Sequence, residues 1–356
     1  MLSKVSRSLV ACNIYVSAGG QPSHRDLLLG LLGETQELCR RKNKNAEAAE
    51  PKALDQRVVV VHAFRDGPYD RSSFHLAGAP DMVADVGSSL AERAVKALID
   101  LETAGQNSMG SSNEQSVGRR HPTVGLVDHV SVLPLDQKRA DSGKNEITGS
   151  VAQTIGKSLK SLGADVLYYG EAHPSGKELA QVRRDSTKFF EDNKPASNSA
   201  RWDKTNSAGS NSTTIPVGQA TVGAPHRFVE NFNIRLRSGV PKVVARTLTE
   251  CVRERGGRGL PFVEALTLAY GQDQYEVACN LLNPSVTSAK DIEDRAKAWE
   301  QQQEGGNTSG LIDTAYRVGT TTDMCLEALR DVSSAEGEMA HNKRVYERLE
   351  GDFVSN

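Results

Sequence analysis

A histidine that stands directly before a proline, just ahead of an apolar strand-like run, is the part of this sequence best suited to chemistry. The run RRHPTVGLVDHVSVLP occupies residues 119–134 and contains His121, Pro122 and Gly125. Proline restricts the preceding residue to extended backbone and glycine allows a tight turn, so His121 is predicted to lie at a strand entrance. An imidazole there can serve as a general acid or base near pH 7. The alternative is an ordinary surface histidine at a loop–strand junction.

Chain length and charge limit the number of domains and the kinds of binding partner that the sequence predicts. The 356 residues are enough for two domains or for one two-lobed unit. Because 43 basic residues nearly balance 45 acidic ones, no overall field favours nucleic acid or an anionic membrane, and neither is predicted as a partner. The longest apolar runs, near Val58–Ala63 and Val263–Tyr270, are too short to span a bilayer.

The cysteines and the N-terminus bear on the compartment. Five widely spaced cysteines without a C-x-x-C motif argue against a disulfide framework or a zinc module and favour a reducing compartment, predicted as the cytoplasm. The N-terminus has no acidic residue before Asp26 and carries Lys4 and Arg7, so a mitochondrial presequence is the alternative. The stretch 8–17 is favoured as a first β-strand instead. His121 and His129 are eight residues apart with no third ligand at metal spacing, so no metal is predicted.

Hydrophobic periodicity predicts the elements that position these residues. In the first half, the order is strand, helix, two strands, helix and strand, which suits a ferredoxin-like unit with helices on one face of an antiparallel sheet. A further strand, helix, hairpin and helix over 227–302 suggest a second unit of the same kind. The predicted elements of the first unit are strands at 8–17, 56–64, 72–77, 124–135 and 165–169, and helices at 22–42, 81–101 and 146–162.

Four polar, apolar-poor segments are predicted as loops: 104–118, 136–145, 191–214 and 301–310. The longest of them separates the two halves of the chain. It divides the sequence into an N-terminal subdomain at 1–190, a linker and candidate folate loop at 191–218, and a C-terminal subdomain at 219–356.

Four segments in this order and spacing resemble the formiminotransferase domain family, most closely its stand-alone branch found in plants and algae. They are HPTVGLVDHVSVLP (121–134), VLYYGEA (166–172), VGAPHRFVENFNIRL (222–236) and YEVACNLLNPS (275–285). The resemblance implies an α+β chain of two ferredoxin-like α/β sandwich subdomains with a substrate cleft or tunnel between them. It also implies transfer of a formimino group to N5 of tetrahydrofolate, the co-substrate, with His121 as the general acid/base.

The resemblance also suggests residues for binding substrate and folate. Some have plainer alternatives: a solvated hairpin turn for RDGPYDR (65–71), a solvated side chain or an imidazole-orienting one for Asp128, and a backbone turn for Gly170. The asparagines of the strand at 227–236 share one face, which in an open sheet often lies in water. Arg183, Arg184 and Lys242 are candidates for attracting a polyglutamate tail. The predicted binding residues are Arg65, Asp66, Arg71, Asp128, Gly170, Glu171, Gly209, Ile215, Pro216, Gly218, Asn231, Asn233 and Asn280.

Departures from the family pattern supply a competing hypothesis. Thr123 stands where catalytic members have an arginine, and threonine cannot bind a carboxylate through two parallel hydrogen bonds. Tyr15 and Ala18 replace an asparagine and a glutamate of the first strand's end, and Val217 replaces an aromatic residue of the folate loop. The alternative function is therefore a catalytically inactive member that acts as a folate-binding or structural accessory subunit. A homodimer or a larger protein assembly is the predicted setting.

Overall fold

Ten strands and eight helices occupy the part of the chain that the computed structural model describes, which is residues 9–49, 56–108, 123–136, 146–186, 215–303 and 310–351. They divide into two units. The first lies within Met1–His226 and Cys325–Asn356, and the second within Arg227–Met324. Helix α7 (Thr322–Asp331) crosses the boundary. Among the described residues, no helix is both long and apolar enough to cross a membrane.

The first unit contains one six-stranded sheet in the order β2-β3-β1-β4-β6-β5. The antiparallel order β2-β3-β1-β4 is that of a ferredoxin-like unit, as predicted, but β6 pairs in parallel with both β4 and β5. The prediction of a wholly antiparallel sheet is wrong on this point. The strands are β1 (Val10–Val16), β2 (Val58–Asp66), β3 (Arg71–Gly78), β4 (Val127–Pro134), β5 (Asp165–Gly170) and β6 (Gln219–Ala224). The helices are α1 (Pro22–Ala49), α2 (Pro80–Ser108), α3 (Glu146–Ser161), α4 (Leu179–Ser186) and α8 (Ala335–Glu350).

Alternation along the strands decides which side of this sheet packs on the helices. In β1, Cys12 and Ile14 lie in the same hydrophobic core as Leu28 of α1 and Leu90 of α2. The predicted apolar stripe of α3, which includes Ile155, also packs into it. Because side chains alternate across a strand, the residues between these core positions must point to the opposite side of the sheet.

The second unit repeats the strand-helix-strand-strand-helix-strand order, and its sheet has the order β10-β7-β9-β8. The predicted second ferredoxin-like unit is thus present, with a last strand that the sequence pattern missed because IDTAYR is short and polar. Its elements are β7 (Glu230–Leu236), α5 (Lys242–Val252), β8 (Val263–Tyr270), β9 (Gln274–Leu281), α6 (Ala289–Gln303) and β10 (Ile312–Arg317).

The unit boundaries differ from those expected from the low-complexity segments. Strand β6 follows the predicted linker but belongs to the first unit, because its backbone hydrogen-bonds between β4 and β5. Helix α8 also returns to the first unit, where Val345 and Leu349 join the core. Nε2 of His341 lies 2.9 Å from the Val60 carbonyl oxygen of β2.

Candidate functional site

The face of the first sheet opposite its core is polar and aromatic; we call it the first polar face. The register places Tyr15 of β1 opposite Ser73 of β3 and His129 of β4, and His129 opposite Thr221 of β6. These side chains are almost entirely buried despite their polarity. The described polar and aromatic members of the face include Asn13, Tyr15, His62, Phe64, Ser73, His75, His129, Ser131, Tyr169 and Thr221.

Five rings form a continuous row across this face. From the edge strand β2 inward, His62 lies 5.3 Å from His75, and His75 lies 6.2 Å from Tyr15, between ring centroids. Tyr15 lies 5.5 Å from His129, which stacks on Tyr169 at 5.6 Å. Such separations are those of interacting aromatic pairs. The five rings of the row are almost fully buried and pack against one another across the sheet.

A β-bulge in β4 brings a carboxylate into this face. Tyr15 pairs with His129 and Val16 with Val127, so Asp128 is the extra residue on β4. Bulges re-aim side chains and are frequent beside active sites. Nη2 of Arg71 lies 3.1 Å and 3.3 Å from the two Asp128 carboxylate oxygens, and its guanidinium lies 4.3 Å from the centre of the Tyr15 ring. Asp128 is fully buried, so the alternative of a solvated residue is wrong.

Hydrogen bonding sets the proton position on His129. The Thr221 hydroxyl donates to the Asp128 carbonyl oxygen at 3.1 Å, which uses its one proton. Nδ1 of His129 lies 3.0 Å from that hydroxyl oxygen and 3.2 Å from the Thr221 carbonyl oxygen, both of which must therefore accept. Neutral His129 thus carries its proton on Nδ1 and leaves Nε2 as an acceptor.

Burial controls the charge state of this face. It lowers the pKa of His75 to about 3, and it lowers the pKa of His62 well below the usual range, with His75 and Arg348 adding to the effect. Burial also raises the pKa of Tyr15, against the opposing charge of Arg71. Both histidines are therefore neutral near pH 7. Burial, followed by the charge of Arg71, lowers the pKa of half-buried Arg183 on α4 to about 10.

The predicted RDGPYDR turn packs against the end of β1. Nη1 of Arg65 donates to the Gly19 carbonyl oxygen at 3.2 Å, and the Asp66 carboxylate accepts from the Tyr69 backbone N–H at 3.0 Å. A Cβ on Gly19 would lie 2.7 Å from the Asp66 carbonyl oxygen, so the two segments meet closely. Asp66 and Tyr69 are buried, the other five residues of the turn are partly exposed, and the Asp66 carboxylate holds the turn itself.

The segment that follows His121 lies against the end of the predicted folate loop. Gly125, four residues after His121, forms a bridge with Gly218, the last residue of the predicted folate loop. Leu126 N–H donates to the Val217 carbonyl oxygen at 3.0 Å, and the Ser17 hydroxyl donates to the Gly125 carbonyl oxygen at 2.6 Å. Ile215 is buried beside this crossing and Pro216 is exposed. His121 and Gly209 lie outside the described residues.

Gly170 and Glu171 lie at the other end of the strands. Six residues of β5 span about 20 Å, so these two are not brought to the Arg71–Asp128 pair. Gly170 has a φ of 59°, and a Cβ there would lie 2.0 Å from the Ala224 carbonyl oxygen, so the backbone turn accounts for the glycine. The Glu171 carboxylate contacts Nδ1 of His226.

The second sheet has a polar face of its own, opposite its hydrophobic core; we call it the second polar face. Asn231, Asn233 and Arg235 alternate with core residues of β7, as predicted. Nδ2 of Asn231 lies 2.7 Å from Oδ1 of Asn280 on β9. Asn233 is 7% exposed and Arg235 4%, so this face does not lie in open water.

Comparison with known protein sequences identifies the family of this chain. Residues 38–225, more than half of the chain, match the model of the formiminotransferase domain, N-terminal subdomain. The chain belongs to the formiminotransferase domain family. A formiminotransferase cyclodeaminase-like protein of Arabidopsis thaliana is 27% identical over 299 residues, covering 82% of this chain and 93% of the relative.

Two of the solved structures with some likeness to this formiminotransferase-family chain are proteases. One from Helicobacter pylori has a TM-score of 0.22 and 9% identity, over 97% of this chain and 86% of that one. The periplasmic protease PqqL from Escherichia coli has a TM-score of 0.18 and 10% identity, over 98% of this chain and 41% of that one. At these scores the likeness carries no argument about fold or function.

One departure from the family pattern, Ala18, lies in a closely packed setting. Ser17 anchors the entrance of β4 through its hydroxyl, and Ala18 is fully buried with its carbonyl oxygen accepting from the Ser72 hydroxyl at 2.6 Å. Thr123 is half-buried at the start of the same segment. The end of β1 is therefore a packed junction in this family member, with no carboxylate at position 18.

Several residues of the two faces were not among the predicted binding residues. They include Tyr15, His75, His129, Tyr169, Glu276 and Tyr316. The available signal was period two: polar residues at every second position of strands whose other residues are apolar, as in Asn13-x-Tyr15 and Glu276-x-x-x-Asn280. Within the described ranges, no group of three or more metal-ligating side chains is placed to hold a metal ion.

Proposed function

We propose that this chain is a folate-dependent transferase that moves a formimino group from N-formimino-glutamate to N5 of tetrahydrofolate. Family membership supports the reaction class. The observation that carries the proposal is the first polar face, where the Arg71–Asp128 pair and the ring row lie on the same sheet as the Gly125–Gly218 crossing. This face combines aromatic rings with an Arg71 guanidinium that Asp128 holds in place.

The proposed chemistry needs one proton to change place. A bond forms between N5 and the formimino carbon, and the bond from that carbon to the glutamate nitrogen breaks. His121 takes the proton from N5 and returns one to the departing glutamate nitrogen, acting first as base and then as acid. The Ile215–Gly218 backbone beside the start of β4 is proposed to contact folate.

A histidine variant tests this mechanism. His121→Ala is expected to reduce formation of N5-formimino-tetrahydrofolate by about 10²- to 10⁴-fold while the melting temperature stays unchanged. His173→Ala, in the turn after β5, is the matched control and is expected to keep full turnover. Full turnover in His121→Ala would contradict the proposed role.

The second candidate function is a catalytically inactive member that binds folate or serves as a structural accessory subunit. Thr123 and Ala18 favour it, because the resemblance places an arginine and a glutamate there in catalytic members. Calorimetry with tetrahydrofolate on the wild type and on Thr123→Arg separates the two. Micromolar binding and turnover by the wild type support the transferase. Binding without turnover from any formimino or formyl donor supports a folate-binding subunit, and no binding by either protein supports a structural one.

A further inference from the structure

A fully buried carboxylate organises the second polar face. Nε and Nη2 of Arg235 both lie 3.0 Å from Oε1 of Glu276 on the neighbouring strand β9. The Tyr316 hydroxyl of β10 also donates to Oε1, and Nη2 of Arg235 lies 2.7 Å from that hydroxyl oxygen. The guanidinium lies 3.8 Å from the centre of the Tyr270 ring. Four strands thus contribute to one charged network.

The other oxygen of this carboxylate holds an amide. Nδ2 of Asn233 donates to Oε2 of Glu276 at 2.9 Å. The oxygen and nitrogen of an amide are hard to distinguish by shape, but a carboxylate paired with an arginine only accepts, so the Asn233 nitrogen must face it. Oδ1 of Asn233 is then directed away from Glu276, and no hydrogen bond among the described residues uses that oxygen.

We propose that Glu276 is a positioning residue that fixes Asn233 as a hydrogen-bond acceptor, so that the second polar face selects the part of its ligand that carries N–H donors. The inference rests on the proposed function, since it assumes that this face contacts the folate or the formimino donor. Both substrates present N–H groups. A face whose amide were free to turn would accept N–H and C=O groups alike, and would discriminate poorly between them.

The substitution Glu276→Gln tests this with little change of volume. Arg235 only donates, so it retains the oxygen of the new glutamine, and the glutamine nitrogen then faces Asn233. Asn233 must turn its own oxygen toward that nitrogen and present its NH2 group to the ligand. An acceptor is thereby exchanged for a donor, and the tetrahydrofolate dissociation constant is expected to rise about 10- to 100-fold.

Glu230→Gln is the matched control. Glu230 also joins β7 to β10 through an ion pair with Arg317, but it lies next to core residues of the sheet and outside the Asn233–Glu276 network. The variant therefore reports only the loss of an ion pair between strands. Because such pairs contribute little energy, tetrahydrofolate affinity is expected to change less than 3-fold.

The experiment measures tetrahydrofolate binding by calorimetry for the wild type, Glu276→Gln, Asn233→Ala, their double variant and Glu230→Gln. If Glu276 acts through Asn233, the double variant binds no more weakly than Asn233→Ala. The NMR signal of the Asn233 side-chain NH2 group in the unliganded protein is expected to shift in Glu276→Gln and to stay in place in Glu230→Gln.

The outcomes separate this inference from the proposed function. Additive losses, equal binding by Glu276→Gln and wild type, or an unmoved Asn233 signal would overturn the inference and leave the transferase proposal standing. No tetrahydrofolate binding by the wild type would overturn the folate proposal, and the ligand-selecting role of Asn233 with it.

Discussion

Single residues explain how two sheets can each bury a polar face. On the first face, Asp128 neutralises Arg71, and Thr221 fixes the proton on His129. On the second, the Glu276 carboxylate pairs with Arg235 and accepts a hydrogen bond from the Asn233 amide. Buried polar groups are costly unless they are paired, so these networks make such faces compatible with a stable fold. They also fix the orientation of the His129 ring and the Asn233 amide.

The buried histidines of the first face predict acid sensitivity. The pKa of His75 is about 3 in the folded chain and near 6.5 in an unfolded one, so the unfolded state binds the extra proton between these values. The free energy of unfolding therefore decreases as pH falls from about 6.5 toward 3, by up to about 1.4 kcal/mol per pH unit for this residue. His62 contributes in the same direction.

Denaturant unfolding at several pH values between 7 and 4 measures this slope. His75→Gln is expected to reduce the slope of unfolding free energy against pH by the amount that corresponds to about one bound proton. Ser73→Ala removes the hydroxyl that lies 2.7 Å from Nε2 of His75 but no titrating group, so it should lower stability while keeping the dependence on pH. Identical slopes in His75→Gln and the wild type would show that His75 is not the buried neutral group.

At the scale of elements, close backbone crossings position the first site. The backbone before β4 and the backbone before β6 are in contact at two glycines, which have no side chains. A Cβ on Gly125 would lie 2.1 Å from the Gln219 carbonyl oxygen. Gly218, with a φ of 81°, faces it. The Asp128 bulge three residues later re-aims the strand. Two local irregularities thus set where the segment after His121 begins.

Gly125→Ala is expected to separate these strands and destabilise the first unit by about 2 kcal/mol or more, since backbone rather than a flexible side chain must move. Gly30→Ala in α1 is the control, because nothing lies within 4 Å of its added Cβ. It should be neutral or stabilising by up to about 1 kcal/mol. Thermal melting compares the two, and equal melting temperatures would contradict the close crossing.

At the scale of the molecule, the chain contains the strand-helix-strand-strand-helix-strand unit twice and then returns to the first copy. The second unit is continuous within Arg227–Met324, whereas the first is completed by residues from the C-terminus. Nη1 of Arg348 on α8 donates to Nδ1 of His62, which links this return to the end of the ring row. The C-terminal helix is therefore part of the unit that carries the first polar face.

This return predicts an effect of a C-terminal substitution on N-terminal strands. Leu349→Ala, at a residue 1% exposed in the first core, is expected to cost about 2–5 kcal/mol. Hydrogen exchange should show faster exchange in β2 and β1, with β7 and β9 protected as before. Met339→Ala on the same helix, 68% exposed, is expected to change stability by less than about 0.5 kcal/mol. Uniform loss of protection in both sheets would contradict this assignment.

The sequence by itself determined the features that depend on short-range patterns. Period two and period 3.6 located all five predicted strands and all three predicted helices of the first unit, because local alternation reports which side of an element is buried. Strand alternation also placed Asn231, Asn233 and Arg235 on one face. The family followed from four motifs in order.

Only the tertiary structure decided which distant residues meet. Arg71 and Asp128 are 57 positions apart, and Glu276 lies 41 positions from Arg235, so no local pattern links them. The parallel pairing of β6 and the return of α8 depend on hydrogen bonds and packing with strands far away in sequence. The short polar strand β10 forms because β7 offers it a free edge, which its own residues do not reveal. Side-chain periodicity fixes which way a residue points, whereas its partner depends on the chain path between them.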